Sequence, residues 1–148
     1  MVARRPIALA AGIVLVLEAV GLVLLHLALA TILAGQRMSL DGLDPELMVT
    51  GVRVMGGVLG AYLVLCGLLL VRIAARDRSP GRGARMVLIA CAITHGVLGA
   101  VTVGLVGWGA FAFMMAVLGL VVASLTLYAP GGVAPGAVGG AAVSSTGP

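Results

Sequence analysis

The feature that most constrains this chain is a set of four long, nearly unbroken runs of apolar residues. Of its 148 residues, 61% are hydrophobic and 9% are charged, whereas soluble domains average about 45–50% apolar and about 25% charged. A run of about 18 or more apolar residues is long enough to cross a hydrocarbon layer of about 30 Å as a helix. The sequence therefore predicts an all-α fold, a transmembrane four-helix bundle.

The polar segments between the runs set the expected boundaries of one domain, residues 1–129. Helices are predicted over about residues 7–35, 47–71, 86–105 and 110–129. Asp44, Pro45 and Glu46 predict the start of the second helix, as N-cap, first helical residue and acidic first turn. Residues 130–148 carry no charge and few large apolar side chains, which predicts a disordered cytoplasmic Gly/Ala/Pro tail.

The distribution of basic residues predicts the orientation. All nine basic residues are arginines, and two of them precede the first run. A basic loop between the second and third runs holds five more: Arg72, Arg76, Arg78, Arg82 and Arg85. Because basic residues near helix ends remain in the cytoplasm, both termini are expected there, in a bacterial plasma membrane. Anionic lipids, rather than nucleic acid, are the expected partners of this loop.

Three residues are predicted to lie at the outer interface. With a rise of about 1.5 Å per residue, His26 and Arg53 come out about 30 Å from the cytoplasmic side. They are interpreted as anchors, with Asp44 or Glu46 available to pair with Arg53. Trp108, in a short glycine turn between the third and fourth runs, is expected at the same interface, where amphipathic rings prefer to lie.

A polar cluster is predicted near the middle of the bundle. By the same rise, Glu18, Tyr62 and His95 lie at similar depths, about 15–20 Å from the cytoplasmic ends of their helices. A carboxylate at the bilayer centre costs roughly 2.5–3.5 kcal/mol on insertion scales, so Glu18 should face inward and find a partner. The cluster is either a functional site or a buried hydrogen-bonded group that only specifies packing.

Small residues recur at helical spacing in the second and third runs. The second run offers Gly56 and Gly60, and the third carries a ridge formed by Ala92, Gly96, Ala100 and Gly104. Such ridges let helix backbones approach closely in lipid. They fit either a homodimer face or packing inside one bundle, and we expect packing inside the bundle.

Signatures of enzymes and cofactors are missing from the sequence. It has no HExxH, no GxSxG and no pair of intramembrane aspartates. His26 and His95 lie about 16 Å apart in depth, which is too far for both to ligate one haem iron. Cys66 and Cys91 have no metal-ligand spacing and are interpreted as small apolar residues. We therefore predict a non-enzymatic protein with no metal and no cofactor.

Residues 1 to about 129 resemble the small uncharacterised four-span membrane proteins of high-GC actinobacteria. The segments that carry the resemblance are Arg4-Arg5-Pro6, Ser39-Leu40-Asp41-Gly42-Leu43-Asp44-Pro45, Arg76-Asp77-Arg78-Ser79-Pro80 and Trp108 in its short turn. The resemblance implies a four-helix membrane fold and no particular activity. Apart from the resemblance, the leading expectation is a membrane subunit or accessory protein that acts through helix or lipid contacts, with a second copy of itself or another membrane protein as its partner.

The architecture is also similar to that of small multidrug resistance exporters, which have four helices and a membrane-embedded glutamate in the first. Glu18 is the matching residue. This resemblance implies an alternative function, a small proton-coupled exporter that uses Glu18. The chain departs from those exporters in having few aromatic residues, of which Tyr62 is expected to lie near Glu18, and in its longer arginine-rich loop.

Overall fold

The computed structural model describes residues 4–36, 42 and 44–129, and it confirms the all-α four-helix bundle. The helices are α1 (Arg4–Gln36), α2 (Pro45–Arg76), α3 (Arg82–Leu105) and α4 (Trp108–Leu127), and the described residues contain no strand. Each helix is long and apolar enough to cross a membrane. The predicted tail, residues 130–148, lies outside the described residues.

The start of α2 follows the prediction. Asp44 is the N-cap, and its Oδ1 accepts a hydrogen bond from the backbone N–H of Glu46 at 2.9 Å. Pro45 occupies the first turn, where a backbone N–H would have no intrahelical acceptor. The missing N–H of proline therefore costs the helix no hydrogen bond. The capping prediction is therefore confirmed.

The predicted basic loop is mostly helical, which corrects its boundaries. Arg72 and Arg76 extend α2, and Arg82 and Arg85 form the start of α3, so only residues 77–81 connect the two helices. Arginine is a good helix former, and the backbone bonds of a helix do not end where its apolar run ends. Asp77 closes α2 in the left-handed conformation, with φ 49° and ψ 36°, a region that aspartate tolerates better than most residues.

The turn before α4 is also shorter than predicted. Trp108 is the first residue of α4 rather than part of a turn, and the helix ends at Leu127 rather than at residue 129. Val106 and Gly107 connect the two helices, and Gly107 has φ 113°, which glycine reaches because it has no Cβ.

Helices α1 and α2 form the most extensive interface of the bundle. Gly12 and Gly67 face each other so closely that a Cβ added at Gly67 would lie 2.8 Å from the Gly12 carbonyl oxygen. Higher up, Gly56 packs under the His26 side chain and Gly60 under Val23. The glycines of α2 therefore pack inside the bundle, as expected.

The small-residue ridge of α3 does not follow that expectation. Ala92 is buried, whereas Ala100 and Gly104 are exposed and Gly96 is only partly covered. A Cβ added at Gly96 or Gly104 would meet no atom within 4 Å. The prediction that this ridge packs within one bundle is therefore wrong beyond Ala92, because α3 turns that face away from α1, α2 and α4.

Polar contacts join three segments at one end of the bundle. Arg4 of α1 forms an ion pair with Asp77 at 2.7 Å, and the Tyr128 hydroxyl donates to the same carboxylate at 3.3 Å. The Arg4 guanidinium holds the pKa of the Asp77 carboxyl below its usual range. Burial, followed by the charge of Asp77, raises the pKa of the Tyr128 hydroxyl. The start of α1, the α2–α3 connection and the end of α4 thus lie together.

Candidate functional site

The structure brings Glu18 of α1 and His95 of α3 into direct contact. The Oε2 atom of Glu18 lies 3.1 Å from Nε2 of His95. The Glu18 side chain is 8% exposed and that of His95 is 1% exposed. Both residues lie about 20 Å along their helices from Arg4 and Arg82, respectively, by the helical rise. The contact is therefore deep in the apolar part of the bundle.

The hydrogen bond of the other ring nitrogen, Nδ1, determines which nitrogen of His95 carries a proton. Nδ1 lies 2.8 Å from the backbone carbonyl oxygen of Cys91, one turn earlier in α3. A carbonyl only accepts hydrogen bonds, so Nδ1 must carry a proton and donate it. The Cys91 sulfur lies 3.6 Å from the same nitrogen and shares this donor. The Nε2 atom is then the position at which His95 exchanges a proton.

One proton therefore lies between Nε2 of His95 and Oε2 of Glu18. With that proton on the ring, the pair is imidazolium and carboxylate; with it on the carboxyl, both groups are uncharged. Either form is neutral overall, which avoids a net charge in the apolar layer. Loss of the proton would leave the carboxylate facing a lone pair. The arrangement is thus a buried unit that holds one proton.

Tyr62 does not bond to this pair. Its hydroxyl donates to the backbone carbonyl of Val87 at 3.4 Å, two turns from His95 toward the start of α3. Tyr62 was predicted to join the pair because its Cα lies at a similar depth. A depth estimate does not determine how each helix is rotated about its axis, and a tyrosine hydroxyl lies far from its own backbone. The three-residue cluster is thus a Glu18–His95 pair with Tyr62 bonded elsewhere.

The two cysteines are adjacent to each other, one turn of α3 before His95. Cys66 of α2 and Cys91 of α3 are both fully buried free thiols, and their side chains are neighbours in the core. Together with Leu63 and Leu88 they form part of the apolar contact between α2 and α3. They pack as small side chains at a place where these two helices meet over a short length.

Glu18 also lines an open groove between α1 and α4 at the surface of the bundle. The groove has a volume of about 480 Å³, and its walls include Leu17, Leu22, Phe113 and Met114. Every fully buried side-chain N or O atom among the described residues has a hydrogen-bond partner. The second carboxylate oxygen of Glu18 has no hydrogen-bond partner, so it is not fully buried and is accessible from the groove. Sequence reasoning missed Phe113, because only the rotation of α4 places it beside Glu18.

The predicted outer anchors lie at the other end of the bundle but differ in their contacts. His26 is partly buried against α2, and its Nδ1 donates to the Leu22 carbonyl at 2.9 Å. Arg53 is exposed, and among the described residues it forms no ion pair with Asp44 or Glu46. Trp108 is 75% exposed, with its edge against the Phe111 ring at 6.0 Å. His26 is thus also a packing residue.

The basic residues of the α2–α3 segment all reach the surface. The exposed side chains are Arg72, Arg76, Arg78, Arg82 and Arg85. In the part of the chain that the structure describes, no group of three or more His, Cys, Asp or Glu side chains is placed to hold a metal ion.

The fold and the paired polar residues define a four-helix protein whose helices are long and apolar enough to cross a membrane, with the Glu18–His95 pair inside the bundle. Comparisons with known protein families, with curated proteins and with solved structures find no match to this chain.

Proposed function

We propose that this chain is a multi-pass protein of the bacterial cytoplasmic membrane with both ends in the cytoplasm. Support comes from the position of its charges: Arg4, Arg5 and the five arginines of the α2–α3 segment lie at one end. The opposite end holds Glu46 and the exposed Trp108. An excess of arginine on one side is the usual mark of the cytoplasmic face.

Within that membrane, the protein acts without catalysing a reaction, as a subunit or accessory factor that binds another transmembrane helix. The observation that carries this proposal is the uncovered ridge of α3, formed by Gly96, Ala100 and Gly104. Small residues at spacing four allow a second helix to approach closely, and van der Waals contact is the main attraction between helices in lipid. The ridge lies on the face of α3 that the other three helices leave free.

Crosslinking from the ridge tests this proposal. A photoreactive amino acid at Ala100, activated in native membranes, should give a discrete crosslinked protein, either a second copy of the chain or another membrane protein. The matched control is the same group at Gly119, an exposed position of α4 with no neighbour within 4 Å. Gly104→Val should abolish the product at Ala100. Labelling of lipid alone, or equal products from both positions, would refute the proposal.

A second candidate function, a small proton-coupled exporter, is favoured by the accessible Glu18 oxygen in the lipid-facing groove. A protonated, largely apolar amine entering this groove would place its charge on the carboxylate, and the shared proton would leave through His95. Exchange of a proton for a cation at one carboxylate is the requirement for coupling. Phe113 and Met114 supply polarizable contact surface for such a substrate.

Transport by reconstituted protein distinguishes this candidate. Proteoliposomes with an imposed proton gradient should accumulate a lipophilic cation such as tetraphenylphosphonium, and Glu18→Gln should stop the uptake while leaving the helix content unchanged. The control variant is Glu46→Gln, an exposed carboxylate in the first turn of α2. Wild-type uptake no faster than that of empty vesicles would reject the exporter and leave the subunit proposal standing.

A further inference from the structure

A groove of about 310 Å³ lies between the end of α2 and the start of α3, at the end of the bundle assigned to the cytoplasm. Its basic side consists of Arg72, Arg76 and Arg78. Its apolar side is formed by Leu69 and Ile73 of α2 together with Pro80 and Ala84. The volume is at the lower end of the range for ligand sites, about 300–1,000 Å³.

The lining changes from basic to apolar along the depth of the groove. Arg72 and Arg76 are one turn apart and so lie on the same face of α2. Leu69 lies about 10 Å from Arg76 along the helix, toward the bilayer centre, by the helical rise, and Arg72 and Ile73 lie between them. An occupant therefore meets Arg76 and Arg78 at the outer end of the groove, Arg72 beside Ile73 further in, and Leu69 at the inner end.

The acidic residue closest in sequence to these arginines is already engaged elsewhere. Asp77 is bound by Arg4 at 2.7 Å and accepts the Tyr128 hydroxyl. Arg5 donates to the carbonyl oxygens of Ala74 and Ala75, near the end of α2. Arginines of α1 thus supply the positive charge that meets Asp77 and the last carbonyl groups of α2. Among the described residues, the three groove arginines form no ion pair.

The start of α3 adds hydrogen-bond donors. Gly81 is the N-cap of this 24-residue helix, and no side chain caps it. The first backbone N–H groups of a helix have no intrahelical acceptor, and together with the helix dipole they favour an anion. Gly81 lines the groove beside Ser79, whose hydroxyl is exposed. Arginine guanidinium groups bind phosphate oxygens in bidentate fashion.

We propose that this groove is a binding site for one anionic phospholipid, with the phosphodiester held by Arg72, Arg76, Arg78 and the start of α3, and an acyl chain lying along Leu69 and Ile73. A general attraction of arginines for an acidic membrane surface would use all five arginines alike. The groove instead selects three of them, and it pairs them with an apolar wall that a lipid fills and a free phosphate does not. The proposal rests on the membrane location given above, but not on the α3 partner or on transport.

Lipid retention by purified protein tests the site. Protein in mild detergent receives equal amounts of phosphatidylglycerol and phosphatidylcholine, and the bound lipid is counted by native mass spectrometry. Wild type should retain one phosphatidylglycerol in preference to phosphatidylcholine. Arg72→Gln with Arg76→Gln should weaken this binding by at least about tenfold. Arg82→Gln with Arg85→Gln, which removes the same charge outside the groove, should weaken it by less than about threefold.

Two further arms identify the source of the bound group and separate this proposal from the membrane assignment. Inorganic phosphate and glycerol phosphate should leave the retained lipid in place, because neither reaches the apolar wall; displacement by either would show a free-anion site and overturn the proposal. Equal weakening by the two double variants would show general surface attraction and also overturn it. Flotation of each variant with vesicles reports membrane insertion independently, so a protein that inserts but shows no lipid preference refutes the lipid site alone.

Discussion

The two helix pairs of this bundle, α1–α2 and α3–α4, have similar compositions and very different packing. In α1–α2, four glycines face backbone or side chains of the partner helix: Gly12, Gly56, Gly60 and Gly67. In α3–α4, a Cβ would meet another helix only at Gly99, which faces Met114 and Met115. The buried share of the apolar window is 28% and 33% in α1 and α2, and 22% and 17% in α3 and α4, so the second pair leaves more of its apolar surface uncovered by the other described residues.

The difference shows that glycine content does not measure packing in a membrane. Lipid tails are as apolar as leucine, so helices associate where a missing Cβ lets their backbones meet. That requires glycine on the correct face of one helix opposite a suitable surface of the other. The α1–α2 pair satisfies this along its length, whereas α3 turns Gly96 and Gly104 away from the bundle. The first pair is the more closely packed part of the fold, and the second presents more free surface.

The largest effect is expected from enlarging a glycine in the α1–α2 interface. Gly67→Val introduces a Cβ that would lie 2.8 Å from the Gly12 carbonyl oxygen, and neither backbone has room to move. Overpacking of this kind costs about 1–3 kcal/mol, and we expect the upper end here. The loss in unfolding free energy is measured by unfolding the detergent-solubilised protein with increasing fractions of sodium dodecyl sulfate.

The matched control for that prediction is Gly119→Val in α4, where an added Cβ meets nothing within 4 Å. Its unfolding free energy should stay within about 0.5 kcal/mol of wild type, as for surface substitutions in general. Equal destabilisation by Gly67→Val and Gly119→Val would contradict the difference in packing between the two helix pairs.

A smaller effect is expected at the contact that joins the two pairs, between Glu18 and His95. A double-mutant cycle with Glu18→Gln and His95→Gln should give a coupling energy between about 0.6 and about 1.7 kcal/mol, the mean and the maximum of such cycles for polar contacts between membrane helices. The same unfolding assay applies, with all four proteins at one pH. A coupling near zero would mean that the two side chains do not hold α1 and α3 together.

The smallest effect is expected from acid at the end of the bundle that holds Arg4 and Asp77. The Arg4 guanidinium lowers the pKa of Asp77, so the stabilising contact is complete above the unfolded value of about 3.9. It is lost as the pH falls through the lower folded pKa. The unfolding midpoint should therefore decline below about pH 4.

Asp77→Asn should remove this part of the acid sensitivity and lower the midpoint at neutral pH, because it cannot form the ion pair with Arg4. Other carboxylates titrate in the same range, so the measured quantity is the difference between wild type and variant across pH. An identical decline in both proteins would exclude the Arg4–Asp77 contact as its cause.

Hydropathy alone was sufficient to predict the number of helices and the all-α class, because each apolar run exceeds the span of a bilayer. Counting the helical rise also placed Glu18 and His95 at a common depth. Helix rotation could not be predicted, since each run is apolar on every side. For this reason the bonding of Tyr62, the position of Phe113 and the open ridge of α3 emerge only from the structure. The sequence placed the arginines of α2 and α3 in a loop, because hydropathy indicates where an apolar run ends and not where the helix ends.

The account depends most directly on four membrane crossings with the arginine-rich end inside the cell. Single cysteines introduced by Arg78→Cys or Glu46→Cys, with Cys66 and Cys91 replaced by alanine, can be exposed to a membrane-impermeant maleimide on intact cells. The account predicts labelling at position 46 without permeabilisation and at position 78 only after it. Labelling at position 78 in intact cells, or recovery of the chain as a soluble protein without detergent, would contradict it.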